Sequence, residues 1–245
     1  HPAKASQGLS TFLSLQRRVI SGDHDMKAMG FIRGLLLAFG LLPWFVQASD
    51  ADVFVAASRS EQAQLLEQWA AAPETQRLPL LTALSREAVL TDDTKQAFTR
   101  EGAQVVALGS ASSPTGALKP LRLTNRLRIL VAGALATHQL ISDSVTQRLT
   151  ATRTLQRDAQ PAMLPFIQQR LAQETDAEVK TRLTRVLANL QLTSPSAEIR
   201  REAIALLGES SDPEMQARLQ PFTDKAHEPD ASVRAAASDS LARIQ

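Results

Sequence analysis

Cysteine is absent from the 245 residues. That absence excludes disulfides, cysteine-held metals and thiol nucleophiles together. Tyrosine is also absent, and aromatic residues make up only 4% of the chain. With Ala, Leu, Gln and Arg abundant, this composition favours helix over strand. Histidine is scarce: four residues, of which His1 and His24 lie near the front. His138 falls in an apolar helical stretch with no second His or carboxylate at ligand spacing, so it reads as a helix-surface or core-edge residue. His227 stands in a turn before Pro229 and reads as solvated.

Chemistry-bearing motifs are equally sparse. There is no Walker A and no G-x-G-x-x-G sequence. Ser110, Ser112 and Ser113 have no G-x-S-x-G frame and no candidate His partner. Asp92-Asp93 is followed by Thr-Lys-Gln, without the Gly and terminal Glu of a calcium loop, and reads as a solvated turn. No catalytic, cofactor-binding or metal-binding residues are expected, and the reading is a non-enzymatic binding or structural module.

The calculated pI of about 9.3 suggests nucleic acid, but the distribution of charge does not. Residues 1–48 hold five Lys/Arg and two Asp/Glu, and residues 49–245 hold 22 and 23. The latter part is close to neutral, with acids and bases interleaved rather than drawn into a stripe that would neutralise phosphates. No nucleic-acid partner is expected.

What is present begins with an address. Residues 26–48, MKAMGFIRGLLLAFGLLPWFVQA, carry Lys27 and Arg33, then an apolar run from Leu35 to Val46, then Val46-Gln47-Ala48. This layout predicts a secretory signal peptide cut after Ala48. The run is shorter than the roughly 20 residues of a membrane span and contains Pro43. Residues 1–25 precede any start at Met26 or Met29 and are expected to be an upstream segment that is not part of the fold.

The exported part divides by texture. Residues 49–87 predict a helix pair, with Ser60 capping the first helix and Trp69 packing at Leu65 plus four. Residues 88–120 predict a small β insert and loop, with a hairpin turning at Glu101-Gly102. Residues 121–245 return to helical spacing and contain an internal repeat. At a shift of 54, Ser142 meets Ser196, Asp158 meets Asp212, Glu174 meets Glu228, and Asp176-Ala177-x-Val179 meets Asp230-Ala231-x-Val233. The copies, about 142–195 and 196–245, each predict three helices: 143–157, 161–173 and 176–191, then 197–208, 212–226 and 230–245. The recurring aspartates read as helix caps. Val179, Leu183, Val186, Leu187 and Leu190 make one apolar stripe. The fold class expected is mostly α: a HEAT-like α-solenoid with an N-terminal helix pair and a small β-hairpin insert.

The stretch LRLTNRLR, residues 121–128, gathers Arg122, Asn125, Arg126 and Arg128 at the junction of insert and repeats. On a helix starting near Thr124, Asn125 and Arg128 share a face, and Leu123, Leu127 and Leu130 or Val131 point inward. Three roles are open: a solvated helix start, a structural latch holding the β insert against the repeats, or a contact to a partner or a lipid headgroup.

The order of parts, with LRLTNRLR as its most specific piece, resembles the N-terminal extracytoplasmic region of the urea ABC transporter permease subunit. That subunit belongs to the branched-chain amino-acid type of permeases. The family typically has L-R-x-N-N-R-L-R here; Asn125, Arg126, Leu127 and Arg128 match, and Thr124 replaces one Asn. The resemblance spans about residues 26–245. It implies a periplasmic domain of a bacterial inner-membrane protein. Its membrane domain would lie downstream of Gln245, since no apolar span follows the leader. It also implies partners: a second permease, ATPase subunits and a substrate-binding protein. The alternative is a free-standing periplasmic scaffold with HEAT-like repeats and no transport role.

Overall fold

The computed structural model describes residues 48–210 and 213–244. The expected upstream segment 1–25 lies outside them, as does the expected signal peptide apart from Ala48. So does Asp212, one of the expected caps. Within the described residues the chain is mostly helical with one small four-stranded antiparallel sheet.

Short polar residues set the helix starts. Ser49 caps α1 (Asp50–Ala56), its hydroxyl accepting from the Asp52 amide. Ser58, not Ser60, caps α2 (Arg59–Ala71). Its hydroxyl accepts from the Glu61 amide at 3.3 Å, and the Glu61 carboxylate accepts from the Ser58 amide at 2.7 Å. This reciprocal box satisfies two of the amides a helix start leaves open, and Ser60 cannot offer it because no Glu or Gln follows three residues later. After Pro73 a 3-10 turn, Thr75–Arg77, leads into α3 (Leu78–Ser85). The expected helix pair does not close on itself. Both α2 and α3 pack chiefly on α4 (Asn125–Gln139), 40 residues further on in sequence, counting from Ser85 to Asn125.

The sheet stands between α3 and α4. Its strands are β1 (Leu90–Thr91), β2 (Ala97–Glu101), β3 (Gln104–Ala107) and β4 (Lys119–Pro120), in the order β3-β2-β1-β4. The expected hairpin is there: Glu101 pairs with Gln104, and Gly102 takes φ +63 in the turn between them. On β2, Ala97, Phe98 and Thr99 are buried and Arg100 and Glu101 are exposed.

Six more helices follow: α5 (Val145–Asp158), α6 (Leu164–Gln173), α7 (Ala177–Gln191), α8 (Ala197–Leu207), α9 (Pro213–Leu219) and α10 (Ala231–Ile244). The span expected as one helix over 212–226 is α9 followed by a 3-10 turn, Gln220–Thr223. The repeat register also differs from the single shift of 54. Over α5 and α6 against α8 and α9 the shift is 52: Ser144 with Ser196 as caps, Arg148 with Arg200, Thr152 with Ile204, Leu155 with Leu207, Met163 with Met215, Ile167 with Leu219. Over α7 against α10 it is 54, with Asp176 and Asp230 as caps and Val179 and Val233 buried. Two residues are therefore inserted between Leu219 and Glu228, where α9 gives way to turns. Ser142 answers Ser194, not Ser196: each hydroxyl accepts, at 3.2 Å, from the amide of the cap two residues on. Asp158 ends α5 and caps nothing.

The same positions recur once more upstream. Ser58, Leu66, Trp69, Leu78-Pro79 and Leu81 stand 86 residues before Ser144, Thr152, Leu155, Leu164-Pro165 and Ile167. Thr124, Leu127 and Val131 stand 52 before Asp176, Val179 and Leu183. So α2-α3-α4 is a helix triplet of the same kind as α5-α6-α7 and α8-α9-α10, with the sheet inserted before its third helix. Helices pack in sequence: α2 on α4, α4 on α5, α5 on α7, α7 on α8, α8 on α10. One apolar core runs from α1 to α7, and a second joins α7 to α10; α7 serves both, Leu183 and Val186 in one and Ala188 in the other, where Leu192 just past its end joins it. Each fully buried Leu here contributes about 2 kcal/mol.

Candidate functional site

Thr124 caps α4, its hydroxyl accepting from the Leu127 amide at 3.2 Å, so the helix begins at Asn125 as expected. Leu123, Leu127 and Val131 are buried, and the arginines are left outside. The helix does not reach back to Arg122, which is exposed and has no hydrogen bond or ion pair among the described residues. Asn125 and Arg128 do meet: Arg128 Nη1 donates to Asn125 Oδ1 at 2.7 Å. Arg128 also donates from Nε, at 2.9 Å, to Glu87 Oε1, with Nη2 at 2.8 Å from the same oxygen. Glu87 sits just past α3 with φ +52. Arg126, 74% exposed, approaches Glu67 of α2 at 3.6 Å. The latch expected between insert and repeats is therefore not what these residues form. Their carboxylate partners belong to the helix segments around α2 and α3, not to the strands, and both pairs are open to water. Exposed pairs of this kind contribute about 0–1 kcal/mol each.

The internal struts lie elsewhere. Arg148 donates from Nε and Nη2 to Glu174 at 2.9 and 3.1 Å, and Arg200 donates in the same way to Glu228 at 2.8 and 2.8 Å. The glutamate side chains are 1% and 2% exposed. The third arginine nitrogen, Nη1, donates to carbonyls before the helix: Ser142 and Asp143 for Arg148, Ser194 for Arg200. Each glutamate also accepts the amide of the cap two residues on, Asp176 or Asp230. Each strut thus ties the start of a triplet's first helix to the start of its third. For Glu174, burial pushes the pKa up, but the Asp176 amide and the Arg148 guanidinium outweigh it and hold it below the ordinary value. For Glu228 the Arg200 hydrogen bond leads in lowering it. The sequence signal was Ser-x-x-x-Arg together with Glu-x-Asp, each occurring at both copies.

In the first triplet the equivalent positions are Gln62, four after Ser58, and Arg122, two before Thr124. Gln62 Nε2 turns instead to the Phe54 carbonyl at 2.9 Å. Arg122 occupies the place of the buried glutamates without an opposing arginine, and stands out in solvent.

Two aspartates hold the insert, and sequence reasoning missed both roles. Asp52, 6% exposed, accepts from the Ala97 amide at 2.9 Å, the Ser110 amide and hydroxyl at 2.9 Å each, and the Ser49 hydroxyl at 2.8 Å. Burial pushes its pKa up, but these hydrogen bonds bring it below the ordinary value. A Cβ on Gly109 would lie 2.1 Å from Asp52 Oδ1, so the loop approaches this closely only as glycine. Asp92 is not a solvated turn residue. It is 6% exposed and accepts from the Thr94, Gln96 and Thr115 amides, pinning the loop after β3. Asp93 is exposed, as expected.

His138 is 0% exposed, deeper than a core edge. Nδ1 donates to the Ala134 carbonyl at 2.7 Å, and Nε2 is buried without a partner. Burial lowers its pKa, with Arg77 adding to the effect. Trp69 packs as expected, 5.7 Å from the Phe54 ring, with the Arg77 guanidinium 5.3 Å over its own ring. His227 is exposed, edge-on to Phe222. Ser112 and Ser113 are exposed in the loop, and Ser110 serves Asp52. Among the described residues no group of three His, Cys, Asp or Glu is placed to hold a metal ion.

Comparison with protein-family models, with curated proteins and with solved structures found no match.

Proposed function

We propose that the chain is a non-catalytic docking module: three helix triplets stacked as a short HEAT-like α-solenoid. On the resemblance of Leu121–Arg128, it serves as the periplasmic N-terminal domain of a urea transporter permease subunit. The observation that carries the docking reading is the recurrence of one cap-and-core plan in three triplets. Stacked repeats leave long continuous surfaces, and such surfaces bind proteins. The buried polar side chains Asp52, Asp92, Glu174 and Glu228 are spent on backbone amides and arginines, which is the work of struts.

The contact face suggested by these observations is the outer side of α4. Arg126 and Ile129 lie three apart there; Ile129 is 51% exposed, and Arg122 stands free just before the helix. An exposed apolar side chain flanked by cations is a surface suited to a protein partner. The test is calorimetric titration of the protein with the cognate substrate-binding protein and with the membrane part of the permease. Saturable binding to either supports the reading. A stop codon directly after residue 245, with no association to any transporter subunit, sinks the transport role and leaves the free-standing scaffold.

A further inference from the structure

The sheet ends in two unlike edges. On one side stands β4, whose residues Lys119 and Pro120 are both exposed. Proline offers no N–H and an edge lysine resists pairing, so this edge is closed to another strand. On the other side stands β3. From Gly102 to Gly109 the chain carries no charge and no proline, so nothing blunts that edge.

The direction of its backbone groups follows from the ladder. The Leu108 amide donates to the Ala97 carbonyl at 2.9 Å, and β3 keeps one unbroken register with β2 from Ala107 to Gln104. Backbone groups point to alternate sides along a strand. Leu108, Val106 and Gln104 therefore face β2, while Val105 and Ala107 turn their N–H and C=O outward. Those outward groups have no hydrogen-bond partner among the described residues. Val105 and Ala107 are half-buried, so both keep surface open to solvent.

This edge is complementary to itself. With a second copy antiparallel to the first and a two-fold axis at Val106, Val105 of each protomer meets Ala107 of its partner. Each such pair exchanges two hydrogen bonds, and every outward group is then used. Val106 faces its own copy across the axis, a β-branched pair that suits a sheet. An uncharged strand brings no like charges together in such a pairing, and it offers nothing by which a charged partner would be selected. With β4 closed, each copy has one open edge, and growth stops at two.

We propose that β3 pairs with β3 of a second copy of this chain, joining two four-stranded sheets into one. This goes beyond the docking reading and stands whether or not the transporter role holds. The contact is short, so the dimer is a weak one, forming between about 10 µM and 1 mM protein.

The test is sedimentation equilibrium over that range, with amide hydrogen exchange followed residue by residue by NMR. The expected result is a monomer–dimer equilibrium in which exchange at the Val105 and Ala107 amides slows in step with the loss of monomer. Ala107→Pro removes an outward N–H without touching the ladder to β2, and it abolishes the dimer. Val106→Lys and Val106→Glu each set like charges face to face at the axis and stay monomeric alone. Mixed in equal amounts they pair at least about tenfold more tightly than either with itself. A wild type that stays monomeric at about 1 mM overturns the proposal. So does association that leaves exchange at Val105 and Ala107 unchanged, or a dimer that persists in Ala107→Pro. If the Val106 variants fold but do not pair when mixed, the two-fold register fails and the proposal with it. If they do not fold, the wild-type exchange still decides. Protection of the Val105 and Ala107 amides that appears only on adding the cognate substrate-binding protein overturns the second copy and gives the edge to that partner.

Discussion

Arg148 grips Glu174 with two hydrogen bonds, Nε to Oε2 at 2.9 Å and Nη2 to Oε1 at 3.1 Å, and the glutamate side chain is 1% exposed. Removing one partner strands the other charge. Arg148→Ala is expected to cost about 3–5 kcal/mol, read by urea denaturation. Replacing both residues at once, as Arg148→Met/Glu174→Leu, costs much less, because no unpaired charge remains.

The same pair contributes to acid sensitivity. Glu174 has a folded-state pKa below its ordinary 4.5. Its stabilisation is therefore fully present above the unfolded pKa and is lost as pH falls through the lowered folded value. Melting midpoints measured from pH 7 down to pH 3 should fall more steeply below pH 4.5 in the wild type than in the Arg148→Met/Glu174→Leu variant. Parallel curves would show that other groups set the acid limit.

Asp52 anchors the insert to α1. Asp52→Asn sets an amide NH₂ among the Ala97 and Ser110 amides that the carboxylate now accepts, leaving a donor unmatched at a cost of about 1–3 kcal/mol. Gly109→Ala places a methyl 2.1 Å from Asp52 Oδ1 and is expected to cost about 1–3 kcal/mol by forced displacement. Amide hydrogen exchange should locate both losses in β2 and the loop after β3. Exchange speeding up uniformly across the chain would contradict a local anchor.

His138 makes a second pH window. Its folded pKa lies below the unfolded value near 6.5 because burial disfavours the imidazolium. Stability is fully present above about pH 6.5 and is lost as pH falls toward and through the folded value. The groups acting on it are Arg77, which opposes protonation, and Glu74 and the Ala134 carbonyl, which favour it. His138→Gln should flatten the slope of the melting midpoint between pH 6.5 and pH 5. An unchanged slope would remove His138 from the account.

Much of this architecture could be read from the chain before folding. Ser144, Asp176, Ser196 and Asp230 are capping residues in front of apolar stripes, and local spacing is enough to find the helices. The hairpin was legible because Gly102 sits between two short β-prone runs. The repeat was found but placed at one shift, since the two-residue insertion before Glu228 keeps the third helices at 54 while the first helices stand at 52. The first triplet escaped because the sheet interrupts it and because Gln62 and Arg122 replace the arginine and glutamate that mark the others. The anchor at Asp52 was not legible at all. Its partners Ala97 and Ser110 are 45 and 58 residues away, and nothing local distinguishes it from the half-buried acid at Asp50, which pairs with Arg77. Asp92 was misread for the same reason, its burial depending on the Thr115 amide from beyond the hairpin.

The Arg122–Arg128 segment divides the account from the latch it replaces. The most direct measurement is the triple variant Arg122→Ala/Arg126→Ala/Arg128→Ala, followed by denaturation and by titration with the cognate substrate-binding protein and permease. The account predicts a stability loss of no more than about 1–2 kcal/mol, the sum expected for two exposed ion pairs, with partner binding weakened at least about tenfold, or 1.4 kcal/mol. A stability loss of several kcal/mol with partner binding intact would contradict it and restore the arginines as internal struts.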